Sequence, residues 1–165
     1  MAPVVVDTNV ALVANGAAHQ ASAACMLKCL QQLQEIVAGG QVILDSAHSI
    51  LDEYLKQKPH GFPQGPGDLF IVWVDDNQAN TSRCKVVPVT PLANDPRAFD
   101  EFPGDPALTS FDRDDRKFVA VARASPDGPP ILNAADTGWW PFRETLARYG
   151  VRVEFLCPEL MPTEG

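Results

Sequence analysis

Val4-Val5-Val6-Asp7-Thr8-Asn9 is the stretch whose reading decides the fold. Three β-branched apolar residues in succession predict a short strand buried on both faces, as in a parallel sheet. The run stops at a carboxylate. In open α/β sheets, ligands and chemistry collect at the carboxyl ends of strands. Asp7 falls at such an end, with Thr8 or Asn9 placed to cap a helix that follows. A carboxylate held against apolar strands is costly unless a cation or hydrogen-bond donors compensate it. The remaining carboxylates are therefore read for convergence on the same place.

The same pattern recurs along the chain. Val42-Ile43-Leu44 closes on Asp45, and Ile131-Leu132-Asn133 is followed by Ala134-Ala135-Asp136. Lys85 to Val89 and Val151 to Leu156 read as further strands, the last as an edge. Helices fill the intervals. From Gln20 to Ala38, Ala24, Leu27, Leu30, Leu33, Ile36 and Val37 recur at three- and four-residue spacing, and Gly39-Gly40 ends the run. Ser46 is a cap candidate for a helix reaching Gln57, with Ala47, Ile50, Leu51, Tyr54 and Leu55 in one stripe. Asp68 to Asn77 reads as a short helix, with a strand over 69–74 as the competing reading. Asp112 caps a helix through Ala124 that buries Phe118, Val119 and Ala122. Phe142 to Tyr149 is the last helix. Pro59–Gly67 and Pro91–Thr109 read as loops, the second pinned by Phe99 and Phe102. Strands alternating with helices favour a mostly parallel sheet with helices on both faces. One domain spans 1–157, followed by a loose tail over 158–165.

The totals fit that reading. The chain has 165 residues, 45% of them hydrophobic and 21% charged, with a formal net charge of −8. This is the composition of a globular chain, not a disordered one. The acidic balance argues against a general polyanion binder, although a local basic rim beside a metal could still hold phosphates. No apolar run approaches the roughly 20 residues of a membrane span. No basic stretch precedes the first apolar run, so a signal peptide is not expected and a cytoplasmic location is the default. Cys25, Cys29, Cys84 and Cys157 lack paired C-x-x-C spacing and are expected as reduced core thiols. His19, His48 and His60 are scattered and read as non-catalytic. Trp139 and Trp140 read as core.

Helical phase places Asp115 on the face that carries Phe118 and Val119, aimed at the strand ends. Arg116 and Lys117 point away from that face. Helical phase does not choose between Asp52 and Glu53. Asp7, Glu53, Asp115 and Asp136 can then approach one edge of the sheet. Four carboxylates do not ionise side by side without compensation. Mg²⁺ or Mn²⁺ is the natural counter-charge for oxygen ligands, and such ions activate water and clamp phosphodiesters.

The chain resembles PIN-domain nucleases. The matching pieces are Val4-Val5-Val6-Asp7-Thr8-Asn9-Val10, Ile50-Leu51-Asp52-Glu53-Tyr54, Asp115-Arg116-Lys117-Phe118-Val119-Ala120-Val121-Ala122 and Ile131-Leu132-Asn133-Ala134-Ala135-Asp136. They occur in the family's order and span about residues 3–140. The resemblance implies a three-layer α/β/α sandwich and metal-dependent cleavage of RNA. It implies Asp7, Glu53, Asp115 and Asp136 as the catalytic acids, with Asp7, Asp115 and Asp136 on the metal and Asn9 supporting. Arg116 and Lys117 are the candidate phosphate-binding residues. RNA is the implied substrate. Because many relatives are toxins, an antitoxin protein and a second copy of the chain stand as candidate partners. One departure is Gly138, where the family commonly has a polar or acidic residue. It keeps open the alternative of a weak or inactive binding module. A phosphatase using a strand-end Asp ranks lower, because Asn9 stands where such enzymes want a second Asp.

Overall fold

β1 (Val5–Val6) is short because Asp7 leaves the strand to cap α1 (Thr8–Ala14), its carboxylate accepting from Asn9 N–H. The computed structural model describes residues 2–18, 21–57 and 63–163. His19, His60 and residues 59–62 of the expected 59–67 loop lie outside the described residues, as do the last two residues of the expected tail.

α2 (Ala23–Gly39) is capped by Ser22 and leads to β2 (Val42–Asp45); α3 (Ser49–Gln57) and α4 (Pro66–Asn77) precede β3 (Cys84–Val87). β4 (Pro91–Leu92) and β5 (Asp95–Phe99) form an antiparallel hairpin. α5 (Arg116–Ala124), β6 (Ile131–Asn133), α6 (Arg143–Arg148) and β7 (Val153–Phe155) complete the order. β1, β6 and β7 make a parallel sheet in the order β1-β6-β7, and β2 pairs with β3, also in parallel. A single parallel bridge, Val4 to Val42, links the two groups. The fold is mixed α/β with parallel pairing, as the alternation predicts. The carboxyl ends of β1, β2 and β6 deliver Asp7, Asp45 and Asn133.

Several local expectations are corrected. Pro91–Thr109 is not plain loop: it contains the β4–β5 hairpin and a 3-10 turn at Pro106–Leu108. Ser46 does not cap α3. Asp45 does, accepting from Ser49 N–H at 3.0 Å and Ile50 N–H at 2.9 Å, while Ser46 Oγ accepts from Val89 N–H. The strand-end carboxylate wins because it has two acceptors aimed along the helix start. α2 buries Cys25, Cys29, Leu33 and Ile36, whereas Leu27 is 53% exposed and Val37 36%. Apolar residues on α2 admit two neighbouring phases, and the cysteines belong to the one that packs. Leu55 is likewise partly exposed. The tail is not loose over its described part: Pro158–Leu160 form a 3-10 turn and Met161 is buried.

The expected helix over Asp68–Asn77 forms and begins two residues earlier. Its N-cap, Gly65, supplies no side-chain bond. Asn15, just past α1, caps it instead, accepting from Gly67 N–H at 2.7 Å and donating to Asp68 at 3.0 Å. α5 is buried beyond one stripe, from Lys117 through Ala122, because it packs against β1, β2, β6, α3 and the hairpin at once. Trp139 is core, edge-on to Phe111 at 4.9 Å. Trp140 is half-buried under Arg143, whose guanidinium carbon is 3.7 Å from the ring centroid.

Candidate acid site at the strand ends

Asp7 sits at the centre. Its backbone N–H donates to Leu132 O, its carboxylate accepts from Asn9 N–H at 3.1 Å, and Asn133 Nδ2 donates to it at 3.2 Å. The side chain is buried. Burial first, then the charges of Asp115, Asp136 and Glu53, push its pKa well above the usual carboxylate range, opposed by the Asn9 backbone bond. Asp115 ends the 3-10 turn Arg113–Asp115 that Asp112 caps. Burial, then the charges of Asp112, Asp136 and Glu53, push it up to about 7, with Lys117 working the other way. Acids from four separate segments are thus close enough to disfavour ionisation of Asp7 and Asp115. They are not drawn tightly together: no three of them place their oxygens all within 4.8 Å of one another.

Asn9 and Asn133 stitch the site. Asn9 Oδ1 accepts from Ala134 N–H at 3.0 Å, and Asn133 Oδ1 accepts from Asp136 N–H at 3.1 Å. Asp136 accepts from Gly138 N–H at 2.9 Å. Gly138 therefore takes part through its backbone. Asn9 Nδ2 is buried with no hydrogen-bond partner.

Glu53 faces the site from α3, and Asp52 is exposed, so the structure makes the choice that phase left open. Glu53 is held by Thr8 Oγ1 and by Lys117 Nζ, the latter at 2.8 Å. Lys117 is a correction: it turns inward, only 9% exposed, and also meets Asp114 O. Its long stem bends back from the helix start because uncompensated carboxylates lie there. Arg116 donates to Thr109 O at 3.0 Å and Phe111 O at 3.3 Å and lies over Phe102. It fastens the preceding segment to α5, so both residues expected at phosphates are engaged within the protein. Two further residues contribute that were not expected at the site, Thr8 and Asn133. The signal for Asn133 was present, a polar residue closing a buried strand. Thr8 carried none beyond its place next to Asp7.

A pH dependence follows from the raised acids. Between the ordinary carboxylate value near 4 and about 7, the folded chain holds a proton on Asp115 that the unfolded chain has lost. Stability therefore falls as pH rises through that window. Thermal melts in EDTA are expected to show a higher midpoint at pH 5 than at pH 7.5, with Asp115→Asn flattening the difference.

No protein-family model, curated protein or solved structure matches the chain. Its class rests on the geometry: an α/β protein with an acid site at parallel strand ends.

Proposed function

We propose that the chain is a PIN-like, divalent-metal-dependent endoribonuclease, with the three-layer α/β/α architecture that this class implies. The observation that carries the reading is the meeting of Asp7, Glu53, Asp115 and Asp136, from four distant segments, around one buried carboxylate. The donor set suits Mg²⁺ or Mn²⁺, being all oxygen, anionic and strained by mutual repulsion. The orphaned Asn9 Nδ2 also suits a site completed by an oxygen ligand or a phosphate. Asp7, Asp115 and Asp136 would hold the ion, which when bound supplies charge neutralisation and a more acidic water for phosphodiester hydrolysis. Asn9 and Asn133 orient the acids, and Lys117 holds Glu53 in place. Asp136 is fixed through Asn133 and Gly138.

The test is cleavage of a mixed RNA pool with Mn²⁺ or Mg²⁺ and with EDTA. Cleavage is expected only with metal, and Mn²⁺ should raise the melting midpoint because it binds the folded chain. Undiminished cleavage in EDTA overturns the proposal. A toxin role, a cytoplasmic setting and an antitoxin partner extend the same reading. They predict growth arrest on expression of the chain and none with Asp115→Asn. A second copy as partner predicts a dimer by light scattering.

One observation favours a second reading, a PIN-like binding module without catalysis. Glu53 is already ion-paired with Lys117 within the protein. If calorimetry detects no Mn²⁺ binding at millimolar concentration, this reading replaces the first.

A further inference from the structure

A disulfide joins Cys25 to Cys157, 132 residues apart in sequence. It overturns the expectation of reduced core thiols for this pair, because α2 and the segment after β7 bring the two Cα atoms to 5.5 Å. The location of the crosslink matters more than its presence. Cys157 N–H donates to Ala134 O at 3.2 Å, and Leu156 N–H donates to Asn133 O at 2.8 Å. Asn133 and Ala134 are the residues whose remaining groups hold Asp7 and Asn9. The crosslink therefore ties the start of α2 to the strand end beneath the acids. Cys29 lies one turn beyond Cys25 on the same buried face of α2. Its sulfur is within 4.8 Å of both bonded sulfurs, and all three residues are fully buried. The acid site uses none of them.

We propose that Cys25, Cys29 and Cys157 form a redox-responsive clamp on the strand end that carries the acids, in which Cys29 can replace Cys25. Closing the clamp takes two protons and two electrons from the Cys25 and Cys157 thiols. A small-molecule disulfide such as oxidised glutathione accepts them and leaves as two thiols. A dithiol reverses the step. In the internal exchange, the Cys29 thiolate attacks Cys157 Sγ, the Cys25–Cys157 bond breaks, and Cys25 leaves as thiolate and takes the proton that Cys29 gave up. Burial pushes the Cys29 thiol up to about 12, so exchange waits for local opening of the 156–161 segment. The clamp is thus slow, set by the redox poise over minutes to hours.

The experiment uses the full chain as wild type, Cys25→Ser and Cys25→Ser/Cys29→Ser, each equilibrated with oxidised glutathione or dithiothreitol. Non-reducing peptide mapping reads the crosslink, and amide hydrogen exchange reads the strand end. Reduction of the wild type is expected to speed exchange at Ala134, Leu156 and Cys157 at least tenfold, leave β2–β3 unchanged, and lower the melting midpoint by about 10 °C. Oxidised Cys25→Ser is expected to show a Cys29–Cys157 crosslink and most of the wild-type protection. The double variant should match reduced wild type. If Cys25→Ser fails to fold, Cys157→Ser replaces it and should behave as reduced wild type under both conditions. Unchanged exchange at Ala134 on reduction overturns the clamp. So does protein isolated with stoichiometric zinc on three unoxidised cysteines. No readout here requires that the acids cleave RNA, so this inference and the nuclease proposal fail separately.

Discussion

On the nuclease activity proposed above, Asp115→Asn is expected to reduce RNA cleavage by about 10³-fold, equivalent to roughly 4 kcal/mol of barrier, while making the protein without added metal more stable. The two effects share one cause. Asp115 sits half-buried among Asp112, Asp136 and Glu53, and its carboxyl is pushed up to about 7. Above pH 7 the folded chain carries that anion at a cost the unfolded chain does not bear. Asparagine keeps the shape and removes the charge. After allowance for solvent screening, the gain is on the order of 1–2 kcal/mol, or roughly 3–6 °C in melting midpoint. Below pH 4 both states are protonated and the gain should vanish. Paired activity assays and melts at pH 7.5 and pH 4 check this. A variant that cleaves normally would remove Asp115 from the site. A variant that loses cleavage but gains no stability would leave the electrostatic account without support.

Gly67→Ala is expected to destabilise the protein by about 3 kcal/mol or more, a fall of roughly 6–12 °C. A Cβ there would lie 2.0 Å from Ala11 O and 2.7 Å from its carbonyl carbon. Both are backbone atoms of α1, so no rotamer change relieves the clash. α4 would have to move off α1 and lose the Asn15 cap, whose bonds to Gly67 and Asp68 require close approach. Because Asp7 caps α1, this shift reaches the acids. Asn15→Ala removes the cap without the clash and should cost about 1 kcal/mol. Gly104→Ala serves as control, since nothing lies within 4 Å of a Cβ there. Equal midpoints for Gly67→Ala and Gly104→Ala would exclude the close-packing argument.

The α/β class, the placement of Asp7 and Asp136 past buried strands, and Asp115 near the start of the helix that carries Phe118 were legible in the sequence, although Asp115 ends a 3-10 turn and α5 begins only at Arg116. Each follows from local periodicity and from the habit of short apolar runs ending in a polar residue. Asp112 as a cap was legible for the same reason, but what it caps is the 3-10 turn before α5 and not α5 itself. Properties that depend on a partner element were not. Glu53 and Asp52 flank the stripe of α3 alike, and only the approach of Thr8 and Lys117 separates them. Lys117 reads as solvent-facing by helical phase, yet its stem follows the field of distant carboxylates.

The sequence alone determined where the acid-bearing strands stop and which residue types stand at their ends. Those are one-dimensional properties, set by side-chain period and by the cost of burying charge. Tertiary structure decided the rest: the Cys25–Cys157 crosslink, the cap that Asn15 lends to α4, and the inward turn of Lys117. Each joins residues tens of positions or more apart, and their meeting depends on how helices pack across strands, which no local pattern encodes.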